Sequence, residues 1–390
     1  MAPEQIRGAD YLHLIPPISH VELRADPEAF LSHRFQPREC HHISTSGRSG
    51  RPKLVYHDPQ SLLMNVSWSE RHEQVLGHFT HRRIGRRLLT MNVEASVASH
   101  VHAYYRRRLR LLRRLGPRRE WINVSAPFEQ QVELLNRFQP ELIISYGTFM
   151  GDFFAQIHRR GLHVHRPELI SLGGEGILPE HRRLIEEDFG IPIVMTYQSG
   201  ESLKIGFECE ERRYYHLHED LCHVRVLDED GREVPDGEVG RVHITNLVNR
   251  ATVLINYDQG DLGRLLPVER CPCGRNLRRL ELVEGRRWPM LHTFDGRALH
   301  FVDAIEPLQR EGWIDRAQVV VERPDLWRIL FISTEGDRVP DWREQARARV
   351  AAVAGPGIAI ELEPVERLEL TDTGKFTPVL VRCPGHPPYV

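Results

Sequence analysis

Nowhere in the 390-residue chain do eighteen apolar residues run together, and its first segment, MAPEQIRGADYLHLIPP, lacks the apolar core of a secretory leader. A membrane-spanning helix and an exported protein are both unexpected on that ground, so the sequence reads as cytoplasmic, with no membrane partner. Neither sign of charge is in excess: 52 Lys and Arg face 54 Asp and Glu, a formal net charge of −2. Without a global field drawing the chain to nucleic acid or anionic lipid, any anion site has to be local. Cysteines number six, and in a reducing compartment they read as metal ligands or core residues rather than disulfides. Neither a Walker-type Gly-Lys-Ser/Thr loop nor a G-x-G-x-x-G turn is present, and no internal repeat or low-complexity linker divides the chain.

What the chain does have is an unusual stretch from His41 to Asp58, HHISTSGRSGRPKLVYHD. Ser44, Thr45, Ser46, Gly47, Ser49 and Gly50 bring almost no apolar surface, so the segment cannot bury a face and reads as a loop. Leu54, Val55 and Tyr56 after it read as a strand. Backbone N–H groups, hydroxyls and the cations Arg48 and Lys53, gathered at the mouth of a sheet, are the groups that collect around phosphate.

From Ser69 to Leu115 apolar residues recur at helical spacing, with Val97, Val101, Tyr104 and Leu112 on one side of a helix opened by Asn92. The other side carries Arg106, Arg107, Arg108, Arg110, Arg113 and Arg114. With no aromatic stacking platform or nucleic-acid reading module beside it, this run reads as a solvated face and not as a nucleic-acid contact. Strands and helices then alternate: EWINVS, PFEQQVELLNRFQ, ELIISY, MGDFFAQIHRRG, ELISLGGE, PEHRRLIEEDFG and IPIVMTYQ. Such alternation predicts a mostly parallel sheet, whose ligands bind beyond the carboxyl ends of the strands, where GGE (Gly173 to Glu175) and YQSGES (Tyr197 to Ser202) fall. A β-rich section follows. Near Gly285 the pattern changes to a compact α+β run of about one hundred residues, enough for a small domain. The expected fold class is α/β, with a large domain over 1–284 and a small α+β domain over 285–390.

The order of six motifs resembles the adenylate-forming (AMP-binding) enzymes, most closely their phenylacetate-CoA ligase-like branch. STSGRSGRPK is similar to the family's phosphate loop, SLGGEG to its adenine-side segment and TYQSGES to its aromatic segment ending in Glu. YDQGDLGRL resembles the ribose motif, EGRR the hinge and TDTGKFTPV the C-terminal Gly-Lys motif. The resemblance implies that Ser44, Thr45, Ser46, Gly47, Arg48, Ser49, Gly50 and Lys53 hold the phosphates of ATP. It places Gly174, Glu175, Tyr197, Gln198 and Ser199 around the nucleotide, Glu201 on Mg²⁺, Asp261 on the ribose hydroxyls and Arg286 against ribose or phosphate. Lys375 would reach from a mobile C-terminal lid to the α-phosphate. Tyr146, Phe149 and Gly173 are the acid-pocket candidates. Two departures stand out: Arg48 occupies a position where these enzymes carry Thr or Ser, and Trp288 one where an acidic hinge residue is expected.

The implied reaction is ATP-dependent activation of a small carboxylic acid to an acyl-adenylate, then acyl transfer to CoA. An amine or a carrier-protein thiol as acceptor stays open, as does a relative that binds nucleotide without chemistry; a homodimer is a further expectation. A second constellation is metal-like. Cys209 and His216, with Cys271 and Cys273 of CPCGR, have the number and type of ligands of a closed, structural zinc site, a feature of some phenylacetate-CoA ligase-like proteins. His218 is the rival for the histidine position, and Cys40 and Cys222 read as ordinary small residues.

Overall fold

The computed structural model describes residues 8–45, 53–82, 85–92, 117–124, 126–174, 176–283, 290–293, 298–300, 304, 308, 314–333, 342–370 and 377–383. The chain divides into two compact units, Met1–Arg286 and Arg287–Val390.

In the first unit, a hairpin of β1 (His41–Thr45) and β2 (Lys53–His57) stands apart from a sheet of eleven strands. The parallel half of that sheet runs in the order β4 (Arg118–Asn123), β3 (Arg87–Asn92), β5 (Leu142–Ser145), β6 (Leu169–Gly173) and β7 (Ile193–Ser199). Successive side chains of a strand leave on opposite faces. Leu88, Leu142, Leu169 and Val194 therefore pack under Val75 and Leu76 of the helix Ser69–Phe79. Their neighbours Leu89, Ile143, Ile170 and Ile193 pack on the other face against Leu134, Leu135, Met150, Phe153 and Phe154 of the helices Phe128–Phe138 and Gly147–Arg159. Both faces being covered, these strands read as continuous apolar runs. The sheet continues antiparallel through β8 (Leu203–Glu208), β9 (Tyr215–Leu217), β13 (Arg279–Leu282), β12 (Tyr257–Leu265), β11 (Gly240–Asn246) and β10 (Cys222–Leu227).

The helical spacing read from Ser69 to Leu115 does not describe one helix. It stops at Phe79, and Arg87–Asn92 is a strand whose Leu88, Leu89 and Met91 are all buried. A strand covered on both faces loses its alternation and imitates the apolar stripe of a helix. Residues 93–116, with Val97, Val101, Tyr104, Leu112 and the arginine run, lie outside the described residues. PEHRRLIEEDFG starts as a helix at Pro179–Arg183 and widens into a π turn over Leu184–Asp188, ending at Gly190 with φ 68°.

In the second unit, β18 (Ala359–Pro364), β17 (Leu326–Ser333), β16 (Ile314–Arg323) and β19 (Val379–Val381) form one sheet in that order. The helix Trp342–Ala354 buries Trp342, Ala346 and Val350 against Trp327, Ile329 and Phe331. Gln318, fully buried on β16, accepts from the Glu369 N–H (3.0 Å) and donates to the carbonyls of Glu369 (3.0 Å) and Thr377 (2.7 Å). Among the described residues no helix is long and apolar enough to cross a membrane.

Candidate active site and metal centre

Three loops leave the carboxyl ends of β5, β6 and β7 side by side. Gly173, the last residue of β6, pairs with Thr196 on β7. A Cβ on Gly173 would lie 2.6 Å from Thr196 Oγ1, so the two strands meet this closely only with glycine there. Gly174 turns the chain with φ 79°, a left-handed value that disfavours other residues, and its missing Cβ would lie 3.5 Å from the Tyr146 ring. Gln198 Nε2 donates to Thr196 Oγ1 (2.9 Å), which donates to the Leu172 carbonyl (3.2 Å). Phe149 is half-buried, stacks on Phe153 with centroids 5.9 Å apart and packs against the core beneath the helix Gly147–Arg159.

The acidic residues come from the antiparallel half. Asp261 on β12 is buried, and its Oδ2 accepts from Tyr197 OH at 2.9 Å, joining two motifs that lie 64 residues apart. Glu201 is buried in the turn between β7 and β8, its Oε1 accepting from Tyr257 OH at 3.0 Å. Ser199 Oγ accepts from the Ser202 N–H within that turn (3.1 Å). The fold thus brings Gly173, Gly174, Tyr146, Tyr197, Gln198, Ser199, Glu201 and Asp261 to one end of one sheet. Ser44, Thr45 and Lys53 lie on the hairpin strands, where Thr45 pairs with Lys53 across the segment they bracket. Ser46, Gly47, Arg48, Ser49, Gly50, Glu175, Arg286 and Lys375 lie outside the described residues.

Several supporting residues escaped the sequence reading. His57 Nε2 donates to the Gly200 carbonyl at 2.8 Å, and Asn246 Nδ2 to the Glu201 carbonyl at 3.4 Å. Asn249 Nδ2 donates to the Tyr56 carbonyl (2.9 Å), and Asp58 Oδ2 accepts from the Arg250 N–H (2.9 Å). Asp58 also caps the helix Pro59–Ser67 through the N–H groups of Gln60 and Ser61. The available signal was the run of asparagines between the glutamate and ribose motifs, since polar side chains within an apolar stretch have to bond when buried.

The metal-like group is assembled. Ligand atoms of Cys209, His216, Cys271 and Cys273 lie within 4.8 Å of one another. A tetrahedral centre with bonds of ~2.3 Å to sulfur and ~2.1 Å to nitrogen needs S···S near ~3.8 Å and S···N near ~3.6 Å. Cys209 Sγ and Cys271 Sγ are 3.8 Å apart, and Cys273 Sγ is 3.5 Å from His216 Nε2. Burial pushes the Cys209 thiol up to about 12, an environment that favours a thiolate only when a cation joins it. Burial acts the same way on Cys273, but N–H groups of Arg275 outweigh it and hold that thiol below its ordinary value. Arg275 is itself fixed in a two-point ion pair with Glu210. His218 is excluded from the group: β9 ends at Leu217, and the His218 carbonyl accepts from Leu221 and Cys222 in the next turn while its ring lies by Arg71.

No family model matches the chain. It is 28% identical to phenylacetate-coenzyme A ligase of Thermus thermophilus over 282 residues, 65% of this chain and 62% of that protein. To the enzyme of the same name from Pseudomonas putida it is 32% identical over 169 residues, 42% of this chain and 38% of the relative. The chain therefore matches less than two thirds of either relative's length. The fold is that of 2-hydroxyisobutyryl-CoA ligase in its postadenylation state, with a TM-score of 0.70 over 98% of this chain and 83% of the other at 18% identity. With its motifs in that order, the chain is similar in sequence to phenylacetate-coenzyme A ligases over part of their length and has the fold of a solved CoA ligase.

Proposed function

We propose that the protein activates a small carboxylic acid with ATP and passes the acyl group to CoA. The observation that carries this reading is the meeting of Tyr197 with Asp261, and of Glu201 with Tyr257, beside the close-packed Gly173. A carboxylate oxygen of the acid attacks the α-phosphorus of ATP, the bond to pyrophosphate breaks, and acyl-AMP forms. The sulfur of CoA then attacks the acyl carbon, and AMP leaves with the electrons of the broken C–O bond. Attack of one anion on another needs cations and N–H donors in place beforehand. Asp261 would accept the ribose hydroxyls, with Tyr197 fixing its orientation. Glu201 would hold Mg²⁺, a hard ion that prefers oxygen ligands alongside substrate phosphates. The 44–53 segment, Gly174, Glu175, Gln198, Ser199 and Arg286 would surround the nucleotide, and Lys375 would be carried by a mobile lid. Tyr146 and Gly173 would shape the acid pocket; Phe149 would contribute only from behind, given its core packing. Zinc at Cys209, His216, Cys271 and Cys273 would be structural, since four protein ligands leave no position for substrate.

Pyrophosphate release across a panel of carboxylic acids tests the proposal, first without and then with CoA. Acid-dependent release followed by CoA-dependent thioester is the expected result. Acid-dependent release with transfer only to amines or carrier-protein thiols would replace the acceptor, and no acid-dependent release would refute the activity.

A further inference from the structure

The turn that carries Glu201 is an expensive piece of backbone. Between β7 and β8 the chain reverses over Gly200, Glu201 and Ser202, and Leu203 then adopts φ 60°. That left-handed value brings the Cβ of a leucine too close to its own carbonyl, and such strain persists only where surrounding contacts over-determine it. Three contacts do so from outside the turn: Asn246 Nδ2 holds the Glu201 carbonyl, Tyr257 OH holds its carboxylate, and His57 Nε2 holds the Gly200 carbonyl.

The His57 contact differs from the others. It is the shortest of the three at 2.8 Å, its residue is completely buried, and it comes from β2, the strand that follows the Ser/Gly-rich segment. A carbonyl only accepts, so the bond requires the proton on Nε2. Burial lowers the ring to about 4, which keeps it neutral near pH 7 with that proton as its only one.

We infer that His57 is a positioning residue for Glu201: by bonding the Gly200 carbonyl it joins the phosphate-loop hairpin to the turn bearing the magnesium carboxylate, so that the two phosphate-facing parts are held in one register. This rests on the reading of Glu201 as the Mg²⁺ ligand. β2 is seated in turn by Asn249 and Thr252, which bond both backbone groups of Tyr56, so the tether is anchored at its own end. A tether that positions a metal ligand changes how much metal is needed, and leaves metal-free nucleotide binding alone.

The test is the Mg²⁺ concentration giving half of the magnesium-dependent rise in melting midpoint at saturating ATP, measured on the full chain. His57→Leu should raise that concentration about tenfold while the shift with ATP and no magnesium stays within twofold. His57→Gln, whose amide N–H reaches about as far as Nε2, should restore most of the difference. Glu201→Gln is the separate arm: an unchanged magnesium response there would overturn the metal role of Glu201 and this inference together. A normal response to His57→Leu beside an impaired Glu201→Gln would overturn the inference alone, as would equal impairment in the Leu and Gln variants. Should His57→Leu fail to fold, His57→Gln against His57→Asn carries the contrast, because the asparagine amide falls one methylene short of the carbonyl. Gln near wild type with Asn shifted supports the tether, and equal values refute it.

Discussion

Replacing Cys273 with serine should release a clip that ties the end of β8 to the turn preceding β13. Cys209 and Cys271, whose sulfurs stand 3.8 Å apart, are separated by 62 residues of chain. Cross-linking a loop of that length removes from the unfolded chain an entropy worth about 4 kcal/mol at 25 °C, on the chain-entropy relation for a covalent bridge. Zinc modules without another core gain more, ~10–16 kcal/mol, because binding there includes folding of the whole module. Here His216 already sits on a strand paired on both sides, with Phe207 and Arg279 opposite it, so the loop-closure figure is the appropriate scale. A loss of ~4 kcal/mol in a domain of a few hundred residues lowers the melting midpoint by about 10 °C. Melting curves and elemental analysis on the same samples test this. We expect one zinc per chain in the wild type, little in Cys273→Ser with the midpoint lowered, and full zinc in His218→Asn. Folded wild-type protein that holds no zinc after a chelator wash and melts unchanged would refute the reasoning, as would a Cys273→Ser protein that keeps both zinc and midpoint.

Asp261→Ala should weaken ATP binding roughly ten- to a hundredfold, the cost of losing hydrogen bonds to a charged acceptor, as read by ATP titration of the melting midpoint; an unchanged titration would remove Asp261 from the nucleotide. Gly173→Ala puts a methyl 2.6 Å from Thr196 Oγ1 and should cost ~1–3 kcal/mol in chemical denaturation, with Thr196→Ala in the same chain restoring part of it. Full stability of the single variant would show that β6 and β7 separate freely. Because burial lowers the folded value of His57 to about 4 from an unfolded 6.5, its stabilising contribution is complete above pH 6.5 and is lost as pH falls towards 4. The loss amounts to ~2 kcal/mol by pH 5. His57→Gln should flatten that part of the denaturation midpoint plotted against pH, and an unaltered slope would assign the acid sensitivity to other groups.

The parallel sheet was legible because its strands are short apolar runs closed by glycine and proline, with helices of clear period between them. Legibility failed at Arg87–Asn92, where burial on both faces erased the alternation that separates strand from helix. Cys271 and Cys273 marked a candidate ligand turn by local spacing, whereas His216 and His218 could be told apart only by where β9 ends. The glycines at 173 and 174 were legible through their motif, whereas the close Thr196 contact that Gly173 permits was not. Phe149 is half-buried and packs against the core, a placement that its position near a strand end did not reveal. Tyr257, Asn246 and His57 could not be assigned to the Gly200–Glu201 turn from the sequence, for a common reason. They reach the Gly200–Glu201 turn from 56, 45 and 143 residues away, and no short-range pattern encodes a bond of that length.

Gln318 has a consequence for how the small unit tolerates change. One buried amide grips the chain where it leaves at Glu369 and where it returns at Thr377. Position 318 carries that burden alone, since an apolar residue there would leave the Glu369 N–H and two carbonyls without their present partner. Variation in this unit should therefore be restricted at the single side chain that holds both positions.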